Sequence, residues 1–337
     1  MQVPQYVGID LHRRRSVIVR RDSEGKTLES LRVENSELER FTEAVLAAGE
    51  HPDVIVEATY GWYWLADLLE QAGARVHLAH PLGNAWGNRR VKNDTRDAED
   101  LVDLFRLGRL VESWIAPPEV RGLREYVRYR AKLVALRTGA KLQVHAVLAK
   151  EGIGVPMSDL FGAAGVELLD SLRLADPFQA RVDSLRNLMD AYAYEIGQVD
   201  KATRPLLSGD AGYQAIQAIP GVGPVFAAVF VAEIGDVTRF SSPEKLCCWA
   251  GLTPRHRESD LHVSRGPITK QGSRILRWAA IEAASRHHGG QVERFEAIAA
   301  RRDSRKIARV ALARHIVTLA YYGLRDGEIR CLADKAG

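Results

Sequence analysis

Cysteine is scarce in this sequence: three residues in 337, with Cys247 and Cys248 adjacent and Cys331 near the end. They make neither a disulfide framework nor a C-x-x-C metal pair, so a reducing compartment, the cytoplasm, is expected. Long apolar runs are also missing. No stretch of 18 apolar residues occurs, and the opening MQVPQYVGIDLHRRR has no apolar core behind a basic start, which argues against a membrane span and against secretion. The pairs His77/His80 and His287/His288 lack a Cys or an acid at zinc-ligand spacing and read as surface or core histidines. Net charge is low, +4 from 47 Lys and Arg against 43 Asp and Glu.

What is present is an ordinary globular composition, 46% apolar and 7% aromatic, in a chain long enough for about two domains. The small net charge hides basic segments. Residues 121–150 hold eight basic side chains and one acidic, 255–277 six and two, and 301–314 six and one. Such segments suit a protein that neutralises a phosphate backbone on some surfaces and keeps carboxylates together on others. A single basic run, taken alone, is equally well a solvated helix face.

The first hundred residues predict three strands, Tyr6–Leu11, Ser16–Arg21 and Leu28–Val33, as a meander. A helix capped by Ser36 with Glu39 follows, then a strand 53–59, a helix 61–71, a strand 75–80 and a helix 95–110. That order implies a mixed sheet with helices on its faces. Pro117-Pro118 closes the unit. Beyond it the pattern is helical. Asp176 and Pro177, with Gln179, predict the start of a helix whose Phe178, Val182, Leu185, Met189, Tyr192, Ile196 and Val199 form a three-heptad seam. The seam requires a partner, either the 122–149 helix as an antiparallel hairpin or a second copy of the chain. Ile219-Pro-Gly-Val-Gly-Pro has the form of a helix-hairpin-helix turn, in which Gly221 and Gly223 let backbone N–H groups approach a phosphate. Two further helical segments, 273–288 and 303–322, precede a fraying tail.

Four carboxylates stand out. Asp10 lies in an apolar strand, where an acid is costly unless it faces a cleft or a cation, and Glu57 repeats this after Val54-Ile55-Val56. Asp94 and Asp97 share one face at a helix start, where the dipole alone would also favour acids. Four oxygen donors on two strand ends and a helix start suit one or two Mg²⁺ ions.

Gly8-Ile9-Asp10, Val56-Glu57-Ala58-Thr59 and Asn93-Asp94-Thr95-Arg96-Asp97-Ala98, in this order of elements, resemble an RNase H-like, RuvC-type nuclease domain. More closely the chain resembles the DEDD transposases of bacterial insertion sequences, recombinases guided by a noncoding bridge RNA. The resemblance spans nearly the whole chain and includes Ile219-Pro-Gly-Val-Gly, Trp249-Ala-Gly-Leu-Thr-Pro-Arg255, Arg257-Glu-Ser259 and Ile268-Thr-Lys-Gln-Gly272. It implies α/β plus α architecture in three parts: an RNase H-like mixed sheet over 1–116, a basic coiled-coil region over 117–205, and a mostly helical C-terminal transposase domain over 206–330. It also implies Mg²⁺ held by Asp10, Glu57, Asp94 and Asp97, and Ser259 as the nucleophile that becomes joined to DNA. Arg257 stands where an aromatic residue is common and Asp260 where Gly is frequent, which leaves Ser264 as the alternative register. The implied partners are donor and target DNA, the bridge RNA and further copies of the chain as a dimer or tetramer. A junction resolvase that activates water at the same acids is the alternative activity.

The residues around the serine support such a role. A hydroxyl needs a base, a metal or nearby cations to attack phosphorus, and Arg255, Arg257, Arg265, Lys270 and Arg274 surround Ser259 in sequence. Arg128, Arg130, Lys132, Arg137 and Lys141 on the 121–150 helix are the candidate phosphate contacts of the middle region.

Overall fold

The computed structural model describes residues 3–81, 83, 93–260 and 262–333, the side chains of 262, 263, 265 and 333 excepted. The chain divides into two compact units, Met1–Ile115 and Ala116–Gly337.

The first unit is a five-stranded sheet in the order β3-β2-β1-β4-β5. Strands β1 (Gln5–Leu11), β2 (Arg15–Asp22) and β3 (Thr27–Glu34) are antiparallel, while β4 (Asp53–Glu57) and β5 (Arg75–Ala79) run parallel to β1. Burial explains the sequence pattern. Central β1 and β4 are covered on both faces and carry the apolar runs Tyr6-Val-Gly-Ile9 and Val54-Ile-Val56, whereas edge strand β3 alternates partly buried with exposed residues. Val7, Ile9, Leu11, Val54 and Val56 form one core with Phe41 and Val45 of α1 (Leu38–Leu46) and Leu65 and Leu69 of α2 (Trp62–Gln71). The opposite face meets α3 (Asp94–Arg106): Val17 and Val19 pack on Ala98, and Ile55 and Ala79 on Leu101.

The second unit is mostly helical. Pro118 opens α4 (Pro118–Lys150) at a position where its missing N–H costs nothing, and α4 lies antiparallel to α6 (Phe178–Leu207). Arg130 bonds Asp200 near one end and Arg181 bonds Gln143 near the other. The heptad seam is consumed within the chain: Val182 and Leu185 pack with Ala140, Val144 and Leu148, and Ile196 and Val199 with Leu133. Between the two helices α5 (Ala163–Ser171) closes the end of the hairpin through Leu169. The core centres on α8 (Pro224–Ile234), apolar on nearly every face and therefore buried on nearly every face. Around it lie α7 (Ala211–Gln217), α9 (Pro243–Trp249), α10 (Arg274–Ser285) and α12 (Arg305–Asp326), with α11 (Gly290–Arg302) contributing Phe295. Cys247 belongs to this core, and burial pushes its thiol up, as for a packing residue. The tail forms a short α13 (Arg330–Ala333).

Local expectations needed correction at two helix starts and one loop. Glu37, not Ser36, precedes α1, and its carboxylate accepts from Glu34 N–H. No side chain caps α6, because Gln179 reaches back to Leu174 N–H. The Gly/Arg/Ser/Asp-rich stretch 251–272, which reads as a loop around Ser259, instead contains an antiparallel pair, β6 (Pro254–Ser259) and β7 (His262–Ile268), within an otherwise helical unit.

Candidate active site

The carboxylates are positioned by strand register and by one glycine. In the parallel pair Ile9 lies opposite Val56, so the next residues, Asp10, one before the end of β1, and Glu57, the last of β4, stand at the same end of adjacent strands. Both share the face that carries Gly8, Val17 and Ile55, the face covered by α3. A Cβ at Gly8 would lie 2.1 Å from the Ala98 carbonyl oxygen and 2.8 Å from Val102 Cγ2. Glycine there lets α3 seat directly on β1, with the helix's first turn, Asp94 to Asp97, beside the strand end. Asn93 fixes where that turn begins by accepting from Thr95 N–H at 3.0 Å.

The result is a cluster in which Asp10, His12 and Asp94 each place a ligand atom within 4.8 Å of the others. His12 Nε2 lies 3.2 Å from Asp10 Oδ2 and 3.6 Å from Asp94 Oδ2. Glu57, on the same face, and Asp97, one turn into α3, are not members of that close group. Octahedral ligands at about 2.1 Å from an ion stand about 3 Å apart when adjacent. The observed separations come within a small side-chain rotation of that, so the donor set fits a divalent cation. The sequence does not single out His12, which lies just past the end of β1 in the basic turn.

Ser259 is the last residue of β6, beside the hairpin tip and opposite His262, and every residue of β6 is exposed. Asp260 continues the turn with φ +51°, a conformation that Asp tolerates better than most residues. Ser264, exposed on β7, pairs with Arg257 on β6. Arg255 and Arg257 are exposed on this ribbon, Lys270 is exposed just after it and Arg274 at the start of α10, and the Arg265 side chain lies outside the described residues. The acids belong to the first compact unit and the serine to the second.

The other basic residues separate by partner. Arg128 makes a two-pronged pair with Glu233 (2.8 and 3.1 Å), an acid buried on α8, and Arg130 does the same with Asp200 (2.6 and 3.1 Å). These two guanidiniums are thus engaged in holding α4 to α8 and α6, which a buried carboxylate requires. Arg124 bonds the carbonyls of Ala232 and Glu233 near the end of α8. Lys141 stands 4.7 Å over the Phe161 ring; Lys132 is exposed and Arg137 half-buried. A cavity of about 1460 Å³ brings Arg128, Arg130 and Lys132 of α4 together with Arg274 and Trp278 of α10 and Pro224 of α8. Of the two turn glycines, Gly221 is explained by packing, with φ +85° and a would-be Cβ 2.4 Å from the Ala283 carbonyl oxygen, whereas Gly223 faces open space at the start of α8.

Residues 7–151, which include all four acids, match the family model described as Transposase, of the DEDD IS110 type, and residues 213–295, which include Ser259, match the model described as Transposase IS116/IS110/IS902 family. The chain belongs to the IS110/IS116 transposase family. Among similar proteins are the transposase for insertion sequence element IS1328 of Yersinia enterocolitica, 27% identical over 286 residues covering 82% of each chain, and the y4qE protein of Sinorhizobium fredii, 27% identical over 284 residues covering 83% of this chain and 70% of that one. A pilin gene-inverting protein of Moraxella bovis is 28% identical over 152 residues, 43% of this chain and 46% of that one. Family membership gives the transposase its activity class, metal-dependent cleavage and rejoining of DNA, and implies an RNase H-like fold for its mixed sheet. Among the described residues no helix is long and apolar enough to cross a membrane.

Proposed function

We propose that this transposase is a serine recombinase of insertion-sequence DNA. In this reading Asp10, Glu57, Asp94 and Asp97 hold Mg²⁺, Ser259 attacks the scissile phosphate, and a noncoding bridge RNA pairs with donor and target DNA to choose the sites. When bound, Mg²⁺ supplies positive charge to the phosphate oxygens. The serine hydroxyl forms the ester to phosphorus, the deoxyribose oxygen leaves, and the energy of the broken bond is retained for rejoining. Lys132, Arg137, Lys141 and the 301–314 segment of α11 and α12 apart from Arg305, which pairs with Glu296, are the helical phosphate contacts that remain once Arg128 and Arg130 are assigned to ion pairs. The three-part division at 116 and 205 belongs to the same reading, as does assembly into a dimer or tetramer. Because α4 of the same chain fills the 178–199 seam, assembly would use other surfaces, and exposed Leu142 and Tyr194 leave apolar area on the hairpin.

The observation that carries the reading is the convergence of Asp10 and Asp94, from a strand end and a helix start, in a segment matched by the DEDD transposase model. The test incubates the protein with supercoiled insertion-sequence DNA, its noncoding RNA and Mg²⁺, followed by denaturing gels. Wild type should yield a covalent protein–DNA adduct. Asp10→Asn should lose cleavage while melting within the range of a surface substitution. Ser259→Ala should bind nucleic acid and form neither adduct nor product. Normal cleavage by Ser259→Ala, without an adduct in wild type, would instead establish the water-activating resolvase.

A further inference from the structure

We infer that His12 is a direct ligand, through Nε2, of the divalent cation held by Asp10 and Asp94, so that the site is a mixed nitrogen and oxygen centre and not a purely carboxylate one. The inference rests on the proposed carboxylate site and adds a residue to it. Geometry is the first support. Of the atoms able to bind a cation, His12 Nε2 is close to both acids, at 3.2 and 3.6 Å, and these separations suit adjacent positions around one ion. Glu57 and Asp97 lie outside this close group.

Preorganisation is the second support. His12 is partly exposed, with 46% of its side chain accessible, yet the backbone carrying it is fixed from the neighbouring strands. Asn35 Nδ2 donates to the His12 carbonyl at 2.7 Å, and Asn35 Oδ1 accepts from the Ser16 hydroxyl at 2.7 Å. Ser16 is fully buried, and Asn35 N–H donates to the Arg14 carbonyl at 2.7 Å. The basic turn between β1 and β2 is therefore tied at both ends to the start of the loop after β3. These bonds hold the main chain that carries His12, and a ligand must be held to within a fraction of an ångström.

A nitrogen donor shifts preference. Imidazole suits transition ions better than Mg²⁺, which favours oxygen. Removal of His12 should thus weaken Mn²⁺ binding more than Mg²⁺ binding, a split that a merely neighbouring histidine would not produce.

The test uses Mn²⁺ as a paramagnetic probe on the full chain. Binding is followed by loss of the free-ion resonance, and pulsed electron paramagnetic resonance reads coupling to directly bonded nitrogen. Wild type should bind Mn²⁺ with ¹⁴N coupling, and labelling with ¹⁵N-histidine should convert that signal without any mutation. His12→Ala should lose the coupling and bind Mn²⁺ at least about tenfold more weakly, with a smaller loss for Mg²⁺ in competition. Asn35→Ala should keep the coupling and lose less affinity. Bound Mn²⁺ in wild type without nitrogen coupling, together with unchanged affinity in His12→Ala, would overturn the inference and leave the carboxylate site standing. Failure of wild type to bind Mn²⁺, or equal binding by Asp10→Asn, would overturn the carboxylate site and this inference with it.

Discussion

The acid cluster and the serine ribbon are built on opposite principles. Asp10 and Glu57 stand at the same end of adjacent strands in the middle of a five-stranded sheet, with helices over both faces and β1 hydrogen-bonded on both sides. Ser259 ends a two-stranded ribbon whose first strand is exposed along its whole length. A sheet centre fixes atoms, which convergent ligands require. A two-stranded ribbon is marginal by itself and opens locally at low cost, which lets it follow a large, irregular partner. The acids and the serine hydroxyl thus fall on the most and the least supported β-structure among the described residues.

The comparison breaks most severely at Gly8. Gly8→Val places carbon where the Ala98 carbonyl already lies, so α3 must lift from the sheet. Loss of about 3 kcal/mol or more is expected, seen as a fall in melting temperature of the first unit together with loss of metal binding. A stable Gly8→Val variant with intact metal binding would show that the close seating of α3 is dispensable. Hydrogen exchange sharpens the contrast with no mutation. Amides of β1 and β4 should exchange only through large-scale opening, while those pairing β6 with β7 exchange at least about tenfold faster; equal protection would mean that the ribbon is as rigid as the sheet.

The smallest effect concerns the far end of the sheet from the acids. Arg75 bonds Asp53 at 2.7 and 2.9 Å, His77 adds a further contact, and together they hold the Asp53 carboxyl below its ordinary range despite some opposing burial. A depressed folded-state value stabilises above the unfolded value near pH 4 and is lost as pH falls through the folded one. Asp53→Asn should therefore cost under about 1 kcal/mol at pH 7, since exposed Arg75 is screened by water. The difference from wild type should shrink below pH 4 in melts at stepped pH; a constant difference would remove the ion pair as its cause.

The sheet was legible because its strands announce themselves by burial. The three meander strands fall within a residue of their expected bounds, and β4 ends at Glu57. The β6–β7 ribbon was illegible for the converse reason. Pro254-Arg-His-Arg-Glu-Ser259 has no buried face, so no alternation marks it, and its order comes from backbone pairing that the side chains do not encode. Helices α5 and α11 were likewise missed, as short or polar segments between stronger signals. The heptads showed that a partner exists and not which helix supplies it. Arg128 and Arg130 looked free because their acids, Glu233 and Asp200, lie far along the chain. At the site, Asp10 and Glu57 were visible as costly residues in apolar strands, and Asp94 and Asp97 as a pair on one face of a helix start. His12 was not, because a polar residue in a basic turn requires no explanation until its neighbours are placed.

The division at Ile115 also orders events during synthesis. Every residue of the acid cluster belongs to the part of the chain made first, which forms a compact unit of its own. At roughly 5 to 20 residues per second, a ribosome needs on the order of ten seconds or more to pass from there to Ser259. The second unit takes longer to settle, because α4 is anchored by Glu233 on α8, which must be translated before Arg128 can find it. In the proposed mechanism the acids are therefore translated before the serine, and the two halves of that mechanism leave the ribosome in sequence.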